Sequence, residues 1–306
     1  FEIKYSRHVR IKVLTKDGLD WANFSIPLYS SSGMREQVSR LRGFTFNKQN
    51  GKTDRERLNT SSVIDEERSD RLTLKKFTMP KVVEGSVIDV NYDITSDYLF
   101  NLQDWDFQYS IPCIYSVYQT IIPEYYNYRQ HISGYEHVSV DRSIGQRNII
   151  YSYRTGNRGT ALGSTGGYRQ QETINYRVDI TTYTAENVPA MPRESFVDNR
   201  NNYITRVDFE LLSYRFPGGA QQQFSTNWDN IVKELLDHSN FGGQLSGTRY
   251  LRDDVQQAVS EDQSPEEQMK AVFDFIKQKI SWNQRYRLFA GDGARQAYRN
   301  GTGSSA

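Results

Sequence analysis

The sequence is poor in cysteine, proline and methionine, and it has no long apolar run. A single cysteine, Cys113, among 306 residues excludes an internal disulfide and any cysteine-built zinc cluster, and leaves the redox compartment unmarked. No stretch approaches the roughly 18 apolar residues of a membrane-crossing helix. An excess of one charge is absent too: 38 Lys and Arg stand against 37 Asp and Glu, a formal net charge of +1. Without a basic block, neither nucleic acid nor an acidic lipid surface is indicated as the partner. Mixed-sign runs such as Asp54-Arg55-Glu56-Arg57 and Asp65-Glu66-Glu67-Arg68 read as solvated strand faces or loops. The four histidines are His8, His131, His137 and His238. No carboxylate stands at ligand spacing beside both His131 and His137, so they read as surface histidines. No metal site and no cofactor is expected.

What the chain has in plenty is aromatic: 21 Tyr, 15 Phe and 4 Trp, 13% of the residues. Tyrosine forms strands well and is apolar at one end and polar at the other, which suits a half-exposed sheet. A mean hydropathy of -0.73 fits a wet surface. The chain starts at Phe1 and enters a strand almost at once, so a processed or trimmed N-terminus is expected.

Period-two alternation dominates the first two-thirds. Ile3, Tyr5, Val9, Ile11 and Val13 share one parity, and Lys4, Ser6, His8, Arg10 and Lys12 the other, which predicts a strand with one buried face. Lys16-Asp17-Gly18 reads as a hairpin turn returning along Trp21 to Leu28. Met34 to Leu58 reads as short pieces broken at Gly43 and at Asn50-Gly51. Leu72 to Met79 follows, then Ile88, Val90, Tyr92 and Ile94 alternate against Asp89, Asn91 and Asp93. Further extended segments are expected at 105–109, 111–122, 137–140, 148–154, 173–184 and 203–214. Turn signals every ~8–12 residues point to a large antiparallel β-sandwich, a mainly β fold, over 1–216.

The period changes after Phe216-Pro217-Gly218-Gly219. Trp228, Ile231, Val232, Leu235 and Leu236 repeat at helical spacing up to Phe241-Gly242-Gly243. Ser264-Pro265-Glu266-Glu267 is a capping box with proline at the first helical position, and Met269, Val272, Phe273, Ile276 and Ile280 form the apolar stripe behind it. A second, helical region is therefore expected over 217–306.

Few residues suggest chemistry. Cys113 lies in the apolar stretch Ile111-Pro112-Cys113-Ile114-Tyr115, without the helix N-terminus or cationic neighbour that activates a thiol; it reads as structural. The Gly-rich run from Gly156 to Gly167 lacks the Gly-Lys-Ser/Thr ending of a phosphate loop and reads as a loop. The cluster Tyr125, Tyr126 and Tyr128, near Tyr115, Tyr118 and Tyr135, reads first as rings packed between sheets. The alternative is a stacking platform for a glycan, peptide or partner.

Taken together, Arg10-Ile11-Lys12-Val13-Leu14, Thr78-Met79-Pro80, Glu84-Gly85-Ser86-Val87-Ile88, Asp104-Trp105-Asp106-Phe107-Gln108 and Ile111-Pro112 resemble a bacterial envelope family. In that family a domain of unknown function precedes a transglutaminase-like domain. The resemblance covers roughly residues 1 to 215 and implies a β-sandwich similar to the non-catalytic N-terminal domain of zinc aminopeptidases. Ala271-Val272-Phe273-Asp274-Phe275-Ile276-Lys277 and Ile280-Ser281-Trp282-Asn283 resemble the helix leading to the nucleophile of the transglutaminase-like (papain-like α+β) fold. The resemblance then sets Gly301-Thr302-Gly303-Ser304-Ser305-Ala306 at the nucleophile turn, with Ser305, ahead of Ser304, in the place of the catalytic cysteine. A serine there implies no catalysis, because an alcohol is far less acidic than a thiol.

Three readings follow. The leading one is a non-catalytic envelope protein, periplasmic or outer-membrane associated, that binds other envelope proteins or a cell-surface polymer. Tyr125, Tyr126, Tyr128, Trp228 and Trp282 are its candidate contacts. The second is a transglutaminase-like or cysteine-peptidase-type enzyme whose catalytic half lies beyond residue 306. The third is a carbohydrate-binding module using the tyrosines. Either further chain or a partner is expected to cover the apolar side of Trp228, Phe273 and Trp282.

Overall fold

The computed structural model describes residues 2–31, 33–69, 71–155, 168–192, 195, 197, 199–224, 227–260 and 262–305; the Gly-rich run read as a loop, 156–167, lies outside them. Two compact units are present, Phe1–Gln222 and Gln223–Ala306.

The first unit is mainly β and antiparallel. Its strands are β1 (Ile3–Lys12), β2 (Asn23–Ser31), β3 (Met34–Gln49), β4 (Lys52–Arg57), β5 (Ile64–Ser69), β6 (Leu72–Thr78), β7 (Val87–Ser96), β8 (Trp105–Asp106), β9 (Cys113–Pro123), β10 (Tyr126–Ser133), β11 (Ser139–Thr155), β12 (Tyr168–Val188) and β13 (Arg206–Tyr214). The first seven make one sheet in the order β1-β7-β3-β2-β6-β5, with β4 beside β3. β2 and β3 pair only where they join, at Ser30↔Arg35 and Ser31↔Met34, so the sheet folds at that corner. Its two halves share one core: Ile26 and Leu28 from β2, Phe77 from β6, and Ile88, Val90, Tyr92 and Ile94 from β7. Phe24 and Phe77 stack with centroids 5.1 Å apart. Each fully buried aliphatic side chain here stabilises the fold by about 1.5–3 kcal/mol.

The strands that follow β7 in the chain build a second core. β9, β12 and β11 form one small sheet, and β10 and β8 flank β13 in another. Phe107, Tyr183, Ala185, Val188 and Val207 are buried between them, so the two small sheets face each other.

Several local expectations change. β1 pairs with β7, Val9↔Val90 and Ile11↔Ile88, and not with β2. The expected hairpin at Lys16-Asp17-Gly18 is a 3-10 turn, Lys16–Ala22. Gly18 is used there for close approach, since a Cβ would sit 3.3 Å from Val13 Cγ1. Gly43 does not interrupt β3 for a similar reason: its missing Cβ makes room for Met79, whose Sδ would lie 2.7 Å from it. β3 is irregular instead between Ser39 and Arg42, where Arg40 has φ 52. Asn50 and Gly51 do form the β3–β4 turn, both with positive φ. The pieces expected at 137–140 and 148–154 belong largely to one strand, β11, continuous through Gly145.

The second unit is helical: α1 (Trp228–Asp237), α2 (Arg252–Ala258), α3 (Pro265–Lys279) and α4 (Ala294–Asn300). α1 stops at Asp237, ahead of Phe241-Gly242-Gly243. Gly242 packs against its last turn, where a Cβ would meet the Leu236 carbonyl oxygen at 2.2 Å. α3 carries the full capping box: Glu267 N–H donates to Ser264 Oγ and Ser264 N–H donates to Glu267 Oε2 at 2.8 Å. Among the described residues of this unit, Tyr298 is the one buried apolar side chain. Trp228, Met269 and Phe273 are exposed.

Candidate functional site

In the first unit, the tyrosine cluster is a strand and its approach. β10 pairs with β13, Tyr126↔Tyr214 and Tyr128↔Leu211, with a register shift between Asn127 and Tyr128. That pairing brings in rings absent from the sequence cluster. Tyr126 lies edge-on to Phe216 (5.7 Å) and beside Tyr214 (6.3 Å), and Tyr125 lies 5.8 Å from Tyr176 and 6.0 Å from Phe216. Tyr176 and Tyr214 escaped the sequence reading because they stand ~50–90 residues further on, with the alternation of β12 and β13 as their only signal; Phe216, just past β13, stood out only as the start of the break at Pro217.

The rings divide by what their hydroxyls do. Tyr128 Oη donates to the Leu99 carbonyl at 2.6 Å, and burial, with the neighbouring Tyr126, pushes its pKa up to about 12. Tyr126 Oη is buried without a hydrogen-bond partner, and burial, then Tyr214, raises its pKa also. Tyr125 and Tyr126 thus present a half-buried ring surface, while Tyr128 is tied to the backbone. Tyr115 and Tyr135 are exposed elsewhere, and Tyr118 stacks on Trp105 at 5.1 Å.

One charged cluster escaped the sequence reading. Arg206, its side chain 17% exposed, meets Asp104 at 2.9 Å, Asp208 at 2.7 Å and Asp106 at 3.6 Å. Burial raises the Asp208 pKa, with Arg206 opposing and Asp104 adding. His131 stands opposite Asp208 in the ladder. Among the described residues no group of three His, Cys, Asp or Glu is placed to hold a metal ion. Cys113 S–H donates to the Tyr115 carbonyl at 3.6 Å, and burial raises its pKa, which leaves it a protonated, weakly nucleophilic thiol.

In the second unit, Ser305 lies in an extended segment after α4. Gly301, left-handed at φ 65, ends that helix. Residues 302–303 then run parallel to 281–282, Ser281↔Thr302 and Trp282↔Gly303. Asn283 N–H donates to the Gly303 carbonyl (2.9 Å) and Ser305 N–H to the Arg285 carbonyl (3.1 Å). Ser305 Oγ accepts from Arg287 N–H at 2.9 Å and donates to the Arg287 carbonyl at 3.2 Å. Trp282, half exposed, donates from Nε1 to the Arg285 carbonyl at 3.3 Å and meets Tyr286 edge-on at 4.9 Å. Trp228, at the start of α1, is 79% exposed.

Residues 2–155 match the model of DUF3857, a domain of unknown function with a solved structure. The chain belongs to the DUF3857 family. Tyr125, Tyr126 and Tyr128 fall inside the matched residues; Trp228, Trp282 and Ser305 fall outside them. The structure of this DUF3857 chain is similar to the 2.00 Å crystal structure of a putative protease from Parabacteroides distasonis ATCC 8503, with a TM-score of 0.59 at 13% identity. The alignment covers 99% of this chain and 52% of that one, so the chain spans about half the length of the Parabacteroides protein. At that identity the likeness is one of fold. No curated protein matches the DUF3857 chain. Among its described residues no helix is long and apolar enough to cross a membrane.

Proposed function

We propose that this DUF3857 chain is a non-catalytic binding protein of the bacterial cell envelope, with a degenerate transglutaminase-like second unit, acting on a protein or polymer partner. The observation that carries the reading is the state of Ser305. Its hydroxyl both accepts from and donates to the backbone of Arg287, so its two main hydrogen-bonding roles are taken by main chain and none by a base. A serine nucleophile needs an adjacent base to take its proton. The half-buried rings of Tyr125 and Tyr126, with Tyr176, Tyr214 and Phe216, offer the contact surface, since aromatic side chains anchor interfaces at low entropic cost.

Purified protein incubated with glutamine-containing peptides and with casein is expected to give neither cross-linking nor cleavage above buffer. Turnover that disappears in Ser305→Ala would overturn the reading. Location is tested by fractionating the native host, with the protein expected in the periplasmic or outer-membrane fraction.

A second reading is favoured by the Parabacteroides neighbour, described as a putative protease: the chain is the β module and first helices of a longer hydrolase. Peptidase activity in the native full-length protein, unaffected by Ser305→Ala, would favour this alternative.

A further inference from the structure

β11 is an open edge. It pairs with β12 from Ser139↔Thr184 to Thr155↔Tyr168 without a register shift, and it heads the order β11-β12-β9. Among the described residues no strand lies on its other side. An antiparallel strand turns the N–H and C=O of every second residue away from its partner, so half of the β11 backbone faces outward as an unused ladder. Natural edges are commonly blunted by proline or a bulge; β11 has neither. Ile144 on it is 67% exposed and Ile150 61%.

Charge selects what fits that edge. Asp141 stands across from Thr182 and Arg147 from Tyr176 within the sheet. Arg147 Nη1 donates to the Gln146 carbonyl at 3.4 Å, and among the described residues neither Asp141 nor Arg147 has an ion-pair partner. Two copies of one edge related by a two-fold axis can form a ladder only where opposed residues share parity, because only the outward-turned residues exchange hydrogen bonds. Of the arginines on β11, Arg142 and Arg154 have the wrong parity for Asp141. Arg147 has the right one.

Setting Asp141 opposite Arg147 puts the axis through Ile144, which then meets its own copy. Val140 falls opposite Asn148 and Arg142 opposite Gln146; no like charges are opposed. By contrast, an axis through Arg147 would set two arginines face to face.

We propose that β11 is a homodimer edge, pairing antiparallel with a second copy over Ser139–Ile149, with Asp141 opposite the partner subunit's Arg147 and Ile144 on the axis. The ladder is roughly 37 Å long at about 3.4 Å per residue. One strand on each side is a small interface, so association is expected at roughly 10–100 µM.

Sedimentation equilibrium on the purified chain from about 1 to about 200 µM reads this directly. The mass is expected to rise from 35.6 kDa toward twice that value. Asp141→Arg, which opposes two arginines at both pairs, is expected to weaken association at least ~10-fold; Arg147→Asp does the same with two aspartates. The double variant Asp141→Arg/Arg147→Asp restores it to within ~3-fold, since Thr182 and Tyr176 are indifferent to the swap. Ile144→Lys, at an exposed position, abolishes dimer while leaving the circular dichroism spectrum unchanged. A wild-type chain that stays monomeric overturns the proposal, as does a dimer insensitive to Asp141→Arg or a charge swap that fails to restore it.

Discussion

Asp89 offers the sharpest test of how the first unit is held together. It sits on β7, flanked by β1 and β3, with its side chain only 10% exposed. Arg10 donates to Oδ2 from Nε at 2.7 Å and from Nη2 at 2.6 Å, and His8 Nε2 lies 3.1 and 3.2 Å from the two carboxylate oxygens. Burial, the largest influence, pushes the pKa of Asp89 up. The hydrogen bonds and charges of Arg10 and His8 pull it down and win, so the group titrates below its ordinary range. A carboxyl lowered in the fold contributes stability that is fully present above its unfolded pKa of about 3.9 and is lost as pH falls through the folded value. Asp89→Asn keeps the shape and exchanges charge-assisted hydrogen bonds, worth about 1.5–3 kcal/mol, for neutral ones worth about 0.5–1.5. A net loss of about 2 kcal/mol is expected at pH 7. For a unit of this size each kcal/mol moves Tm by roughly 2–4 °C, which predicts a drop of about 4–8 °C in a calorimetric scan. The gap between wild type and variant should close progressively as pH is lowered from about 5 toward about 2. A drop under ~1 °C at pH 7, or a gap that persists undiminished in acid, refutes the reasoning.

The two neighbouring tyrosines of β10 should respond oppositely to loss of the hydroxyl. Tyr128→Phe forfeits the bond to Leu99 and is expected to cost about 1 kcal/mol, whereas Tyr126→Phe removes a buried unpaired hydroxyl and is expected to be neutral or stabilising by up to about 1 kcal/mol, both read by urea denaturation. Gly43→Ala would put a methyl 2.7 Å from Met79 Sδ and 3.1 Å from Leu58 Cβ, an overpacking expected to cost about 1–3 kcal/mol and to be partly relieved by Met79→Ala in a double-mutant cycle. Ser264→Ala removes the α3 cap; a loss of about 1 kcal/mol is expected, seen as faster amide exchange in the first turn of α3 and little change in the β unit.

Alternation made β1 readable because it has one face on a core and one on water, and β7 readable because its core face is apolar and its other face polar; the apolar stripe with its capping box made α3 readable. What alternation does not carry is the identity of the neighbour. β1 joins β7 across some 75 intervening residues, although the turn-like Lys16-Asp17-Gly18 argued for β2. Glycine misled in the same way: Gly43 looks like a break, yet it is a place where another side chain, Met79, lies against a bare Cα. The candidate site suffered most, because its completing groups are remote. Phe216 reaches Tyr126, and Arg287 meets Ser305, only through ladders whose register no local pattern encodes. α4 was invisible because Ala294–Asn300 is short and sits between glycines.

The tyrosine excess itself is partly structural, and that narrows where a ligand could act. Residues 97–104 connect β7 to β8, from the first core to the second. Three tyrosines from three strands pin that segment: Tyr5 Oη donates to the Asn101 carbonyl and accepts from Gln103 N–H, both at 2.9 Å; Tyr118 Oη donates to the Gln103 carbonyl at 2.8 Å; and Tyr128 Oη reaches Leu99. Burial raises the pKa of Tyr5, Tyr118 and Tyr128, so the hydroxyls stay protonated and the clamp holds until strongly alkaline pH. A tyrosine committed in this way cannot swing to meet a glycan or a peptide without releasing the connection between the cores. Tyr128, placed with Tyr125 and Tyr126 by sequence, therefore belongs by its hydroxyl to the clamp. A stacking surface has its material at the end formed by Tyr125, Tyr126, Tyr176, Tyr214 and Phe216, and Tyr125→Ala with Tyr126→Ala is the substitution that tests it without loosening residues 97–104.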